Sequence, residues 1–181
     1  DLNELVEESS VSQMPVFLDS PLAIKITDVY KSNTKLFNDD VQKRISAGDN
    51  IFDFPKLKLT LWGGESRKIA DTPSPKIIIA GGGMSTGGRI LFHEQMYLPD
   101  PNTTLLIVGY QAVGSLGREL DQGAKEVEIH GETIPVRAKI VSIKSYSGHK
   151  DMEEMLSFIE PSAEKIKKVF LVHGEMKQAL F

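Results

Sequence analysis

Residues 76–80 (KIIIA) hand over to Gly81-Gly82-Gly83-Met84-Ser85-Thr86-Gly87-Gly88, and a helical pattern begins at Arg89. This junction constrains the chain most. An apolar run of strand length that ends in glycine and reopens as a helix is a βα unit, and a run without polar alternation suits a central strand covered on both faces. The order recurs. Residues 15–19 (PVFLD) read as a buried strand, Ser20 and Pro21 occupy the cap and first-turn positions of a helix, and Leu22, Ile26, Val29 and Tyr30 follow at helical spacing. Residues 104–110 (TLLIVGY) form another central strand. Strands alternating with helices predict an α/β fold with a mostly parallel sheet.

Smaller elements fill the intervals. A helix is expected over 39–47 with Asn38 as cap and Gly48 as stop. Leu57, Leu59 and Leu61 alternate with polar residues as in a half-exposed strand, and a helical stretch near 65–70 precedes a Pro-Ser-Pro break. Residues 127–140 read as a hairpin turning at Gly131. A final unit comprises the loop 145–150, a helix over 151–160 with Met152, Met155, Leu156 and Ile159 inward, and a strand over 168–173.

Bulk properties narrow the function. With 181 residues and 40% hydrophobic content, the chain can bury the core of one compact domain or slightly more. It has no cysteine, so any metal would be held by histidine and carboxylate. A net charge of −4 argues against coating nucleic acid by field alone but leaves room for local phosphate sites. No apolar run reaches the length needed to span a bilayer, so a cytoplasmic protein without a membrane partner is expected. The chain opens at Asp1 without methionine and stops eight residues past an apolar strand; both ends are expected to be cuts in a longer protein.

The glycine loop is the strongest local feature. At a strand-to-helix junction, free N–H groups and the helix dipole attract anions, glycines let a phosphate approach, Ser85 and Thr86 add hydroxyls, and Arg89 can fork onto phosphate oxygens. The other reading is a tight turn whose glycines serve packing. The spacing matches neither a Walker A loop nor a dinucleotide fingerprint. Residues 109–118 (GYQAVGSLGR) again combine a strand end, small residues and an arginine, Arg118, that can contact a polyanion.

Four histidines differ in context. His93, one turn into a helix, and His130, at the hairpin turn, read as structural or solvent-facing. His149 stands on the loop Ser147-Gly148-His149-Lys150-Asp151 ahead of a helix, and His173 ends an apolar strand. Such positions suit acid-base or metal chemistry, and equally suit a histidine satisfied by neighbouring backbone. Asp19, with Ser20 behind it, is read first as a helix cap and second as a group facing the same cleft.

Taken together, PVFLDSPLA (15–23), IIIAGGGMSTGGR (77–89), GYQAVGSLGREL (109–120), GETIPVRAKI (131–140), SGHKD (147–151) and VFLVHGE (169–175) resemble, in order and over nearly the whole chain, the β-CASP branch of the metallo-β-lactamase superfamily. Those are RNA-processing nucleases, among them bacterial and archaeal ribonucleases and the eukaryotic mRNA 3′-end cleavage factor. The resemblance implies that residues 1–141 are part of a β-CASP domain and 142–181 the carboxyl-terminal piece of an αββα metallo-β-lactamase domain. It implies that His149 meets the scissile phosphate and protonates the leaving oxygen, with Ser147 and Gly148 beside it, and that His173 is a zinc ligand whose identity favours RNA over DNA. The family's usual Phe-Ser-Ala-His-Ala-Asp reads Tyr146-Ser147-Gly148-His149-Lys150-Asp151 here. The His-x-His-x-Asp-His signature that supplies most ligands of the two zincs is not in this chain.

The expectation is therefore part of a zinc-dependent ribonuclease hydrolysing single-stranded RNA, inactive alone, whose partner is the missing amino-terminal half. A homodimer through the face that half would leave is also expected. The competing class is a non-catalytic RNA- or phosphate-binding α/β module; a small-molecule esterase fits the polyanion-directed loops less well.

Overall fold

The computed structural model describes residues 2–143, 145–146, 149–172 and 174–175. Its elements, in order, are α1 (Leu2–Glu7), β1 (Val16–Asp19), α2 (Pro21–Ser32), α3 (Asp39–Ser46), β2 (Leu57–Leu59), α4 (Gly63–Lys68), β3 (Ile77–Ala80), α5 (Arg89–Tyr97), β4 (Thr104–Ile107), α6 (Leu116–Asp121), β5 (Glu126–Ile129), β6 (Glu132–Pro135), β7 (Lys139–Ser142) and α7 (Met152–Ile159). They fall into two compact units, Asp1–Ser145 and Tyr146–Phe181.

In the first unit β1 lies between β2 and β3, parallel to both, with Val16 opposite Leu57 on one side and Ile77 on the other. A strand with neighbours on both edges and helices on its faces buries alternate side chains in both directions. Val16, Phe17 and Asp19 are accordingly all buried. The run at 76–80, expected at a sheet centre, instead forms an edge of this sheet among the described residues, and Ile79 is exposed. Continuous apolar character reports burial pressure, not ladder position.

A second parallel pair, β4 with β7, and the antiparallel hairpin β5–β6 complete the unit. Leu98, Leu120, Val127, Ile129, Ile134 and Ala138 form one core cluster between α5, α6 and the hairpin. The Leu98 carbonyl at the end of α5 accepts from both Arg137 and Ala138 N–H, at 2.8 and 2.9 Å, which ties the hairpin exit to the helix. The hairpin turns at His130 and Gly131, both at positive φ.

The local signals for α2 and α3 act as expected. The Ser20 hydroxyl accepts from Ala23 N–H with Pro21 in the first turn, and the Asn38 side chain accepts from Val41 N–H. Asp19, read as a cap, is not one: Ser20 has that role, and the Asp19 carboxylate points into the unit.

In the second unit Asp151 caps α7, accepting from Glu154 N–H at 2.8 Å while the Glu154 carboxylate reaches back to Asp151 N–H. The apolar face expected to be inward is open: Met152, Met155 and Leu156 are exposed. The strand expected over 168–173 is absent from its described part, 168–172, and Val169–Val172 are exposed. A strand exists only with a ladder partner, and no described strand offers one. No described helix is long and apolar enough to cross a membrane.

Candidate functional site

In an open parallel sheet, groups that act on ligands collect at the carboxyl ends of the strands. There β1 delivers Asp19, β2 leads to Thr60 and Leu61, and β3 leads into the glycine loop. Asp19 has no exposed surface and gathers four donors. Oδ1 accepts from Thr60 Oγ1 and Arg89 Nη1, both at 2.5 Å, and Oδ2 accepts from Ser66 Oγ at 2.6 Å and His93 Nε2 at 2.7 Å. Burial by itself raises the Asp19 pKa, but the hydrogen bonds from Ser66, Thr60, His93 and Arg89 outweigh it and hold the carboxyl below its usual value. An ionised carboxylate only accepts, so His93 Nε2 carries the proton that faces it. Arg89 also donates to the carbonyls of Thr60 and Leu61, at 2.7 and 2.8 Å. The first turn of α5 is thereby fastened to the exit of β2.

The glycine loop itself turns two ways. Ser85, at φ 55° and buried, points its hydroxyl inward to Glu94 Oε1 at 2.5 Å. Thr86 and Gly88 are exposed. Gly88 stands at the cap position of α5 with no side-chain cap bond, and no acceptor among the described residues takes the N–H groups of Thr86, Gly87 or Gly88. Helix ends in this state bind anions. Gly82 has φ 98°, and a Cβ on it would lie 2.3 Å from the Gly87 carbonyl oxygen. Gly82→Ala should therefore cost at least about 1–2 kcal/mol for the left-handed conformation alone, with the clash added, visible as a lower urea midpoint.

A second loop, between β4 and α6, is locked onto the first. Gln111 Nε2 donates to the Gly83 carbonyl at 2.6 Å and Gly117 N–H to the Met84 carbonyl at 3.0 Å. Arg118 Nη1 reaches the Gln111 carbonyl at 3.3 Å. Ser115 caps α6.

Glu94 is buried, and its Oε2 meets no hydrogen-bond partner among the described residues. Burial raises its pKa, with the Ser85 hydroxyl acting in the other direction. Since the folded value lies above the unfolded one, folding favours the protonated acid. Stability from this group therefore declines as pH rises from the ordinary carboxylate range through the folded pKa. Glu94→Gln should remove that decline: the gap in urea midpoint between variant and parent moves in the variant's favour from pH 4 to pH 8.

Of the residues singled out from sequence, Asp19, Ser20, Ser85, Thr86, Gly87, Gly88 and Arg89 gather at this edge, joined through the second loop to Arg118. The side chains of Ser85 and Arg89 are committed to internal partners, so what the loop offers a ligand is the exposed Thr86 and the amides that have no acceptor among the described residues. His149 is exposed in the second unit, in a bend before α7. Ser147, Gly148 and His173 lie outside the described residues. Sequence reasoning missed Thr60, Ser66, Glu94 and Gln111, and read His93 only as structural or solvent-facing. The four-residue spacing of Arg89 and His93, which puts both on one face of α5, was the available signal. Among the described residues no three histidine or carboxylate groups converge as a metal site, and the chain has no cysteine.

Residues 1–120 match the family model described as the Beta-Casp domain, and residues 133–180 match the one described as the Zn-dependent metallo-hydrolase RNA specificity domain. The chain is 35% identical over 166 residues to a Thermus thermophilus protein named Ribonuclease TTHA0252, covering 92% of this chain and 38% of the relative. It is 32% identical to an RNase J-like protein of Methanocaldococcus jannaschii, covering 99% of this chain and 40% of the relative. It is 31% identical to a transcription termination factor, FttA, of the same organism, covering 92% and 27%. The chain thus spans two fifths or less of the length of these relatives.

Proposed function

Because the chain belongs to the β-CASP family of the metallo-β-lactamase superfamily, we propose that it is the RNA-gripping part of a zinc-dependent hydrolase that cuts single-stranded RNA. The observation that carries this reading is the uncapped amino end of α5 in a glycine loop at the carboxyl edge of a parallel sheet, where the N–H groups of Thr86, Gly87 and Gly88 meet no acceptor among the described residues. Such a cradle holds backbone phosphates whatever the base. Ser85 and Arg89 shape it from behind, Thr86 adds a hydroxyl, and Arg118 braces the neighbouring loop.

In this reading residues 1–141 belong to the β-CASP domain and 142–181 return to the metallo-β-lactamase domain. The described residues do not by themselves assemble a metal site, so most ligands of two zincs are assigned to the rest of a longer protein, with His173 contributing one. Bound zinc would polarise the scissile phosphate and lower the pKa of a coordinated water. What this chain adds is a proton: the His149 imidazole protonates the departing oxygen, with Ser147 and Gly148 against the phosphate. The exposed apolar face of α7 and Val169–Val172 is where the remainder of the protein, or a second copy, docks. We place the protein in the cytoplasm.

The test is zinc content by elemental analysis together with cleavage of labelled single-stranded RNA. It compares this chain, a form extended upstream to its natural start, and that form with His173→Ala. Zinc and cleavage in the extended form alone support the reading. An extended form that binds RNA but holds no zinc and never cuts replaces it with a non-catalytic binding module.

A further inference from the structure

An acidic chain has little electrostatic attraction to offer a polyanion. Its net charge is −4, and the arginine nearest the glycine loop is spent on Asp19 and two carbonyls. A few backbone amides would grip phosphates weakly, so a single strand needs another source of affinity. Base stacking on aromatic side chains supplies it elsewhere, at a strength that does not depend on charge.

The same edge carries two exposed rings. Trp62, the only tryptophan, is 72% exposed, and Tyr110 is 60% exposed. An indole left in water invites a reason, because its apolar area is the largest of any side chain. The backbone under Trp62 is fixed: its N–H donates to Glu65 Oε2 at 3.0 Å, its carbonyl accepts from Glu65 and Ser66 N–H, and Arg89 holds the Leu61 carbonyl immediately before it. Tyr110 lies between Gly109 and Gln111, whose side chain binds the carbonyls of Gly83 and Gly109. Arg89 fastens one aromatic segment to the glycine loop and Gln111 fastens the other.

We propose that Trp62 and Tyr110 are base-stacking platforms flanking the phosphate cradle, so that the bound strand is held by stacked bases on either side of an amide-gripped phosphate. The proposal rests on the RNA reading of the same edge and adds the residues that distinguish a nucleobase-bearing strand from a bare phosphodiester chain. Stacking of this kind is tolerant of sequence and favours unpaired over duplex RNA, whose bases are already stacked.

Because Trp62 is the only tryptophan, its fluorescence reports on itself. The experiment titrates the 181-residue chain with a single-stranded oligoadenylate and with an abasic phosphodiester oligomer of equal length, following Trp62 emission and, by anisotropy of a labelled strand, affinity. Quenching by oligoadenylate, about tenfold weaker binding for Trp62→Ala and for Tyr110→Ala, recovery with Trp62→Phe, and poor binding of the abasic chain are expected. Trp62 is exposed, so thermal melting of its variants should match the parent, and melting of Tyr110→Ala separates a loss of stacking from a loss of fold. Salt-sensitive binding of both oligomers with unchanged emission and parental affinity in the variants overturns the stacking proposal and leaves the phosphate cradle standing. Failure of both oligomers to bind overturns both.

Discussion

Asp19→Ala should lower the stability of the first unit by about 3–5 kcal/mol, the cost of removing one partner from a buried ionic network. The alanine leaves the His93 Nε2–H and the Ser66 hydroxyl without their acceptor and takes the counter-charge from Arg89, which keeps only the Thr60 and Leu61 carbonyls, while the Thr60 hydroxyl keeps the Leu18 carbonyl. The four lost bonds release three elements: Thr60 follows β2, Ser66 sits in α4, and Arg89 and His93 belong to α5. Equilibrium urea unfolding reads the loss as a shift in midpoint. Asp19→Asn keeps the shape but not the charge and should fall between. The pH dependence has a definite sign. The folded pKa of Asp19 lies below its usual 3.8, so its contribution is fully present above that value and is lost as pH falls through the folded pKa. The gap between Asp19→Asn and parent should therefore be widest near neutrality and close in acid.

His149→Ala, made in the upstream-extended protein, should reduce kcat for RNA cleavage by about 10²–10⁴, the usual worth of a positioned general acid. Zinc content and RNA affinity should stay at the parent level, because the proposed role of His149 is proton donation and the glycine-loop grip on phosphate does not involve it. A leaving group that needs no proton, such as a p-nitrophenyl phosphodiester, should recover most of the lost rate. A variant that cuts both substrates as fast as the parent removes His149 from the chemistry.

Local chemistry was legible wherever a few neighbouring residues decide it. Ser20-Pro21 and Asn38 announce helix starts, Gly131 announces the hairpin turn, and the KIIIA-to-glycine junction announces a βα unit with its loop. What stayed hidden depends on residues distant in the chain. The donors to Asp19 lie 41, 47, 70 and 74 residues away, so a buried carboxylate hub is indistinguishable in sequence from a helix cap. Position in the sheet was misjudged for a related reason. Apolar content predicts that β3 is covered, while its place at an edge follows from which strands pair. The helical spacing of Met152, Met155 and Leu156 and the apolar run before His173 are genuine amphipathic and strand signals, yet their counterparts are not among the described residues, and neither signal buries itself.

The central claim is that the carboxyl edge of this sheet grips RNA phosphates, and it is tested most directly by the salt dependence of single-stranded RNA binding to the 181-residue chain with a metal chelator present. The account predicts uncut RNA, a log affinity that falls with log salt less steeply than the roughly −0.7 per phosphate of a strand neutralised by lysine or arginine, and weaker binding for Gly82→Ala across all salts. Absence of binding, or binding that ignores both salt and Gly82→Ala, would contradict it.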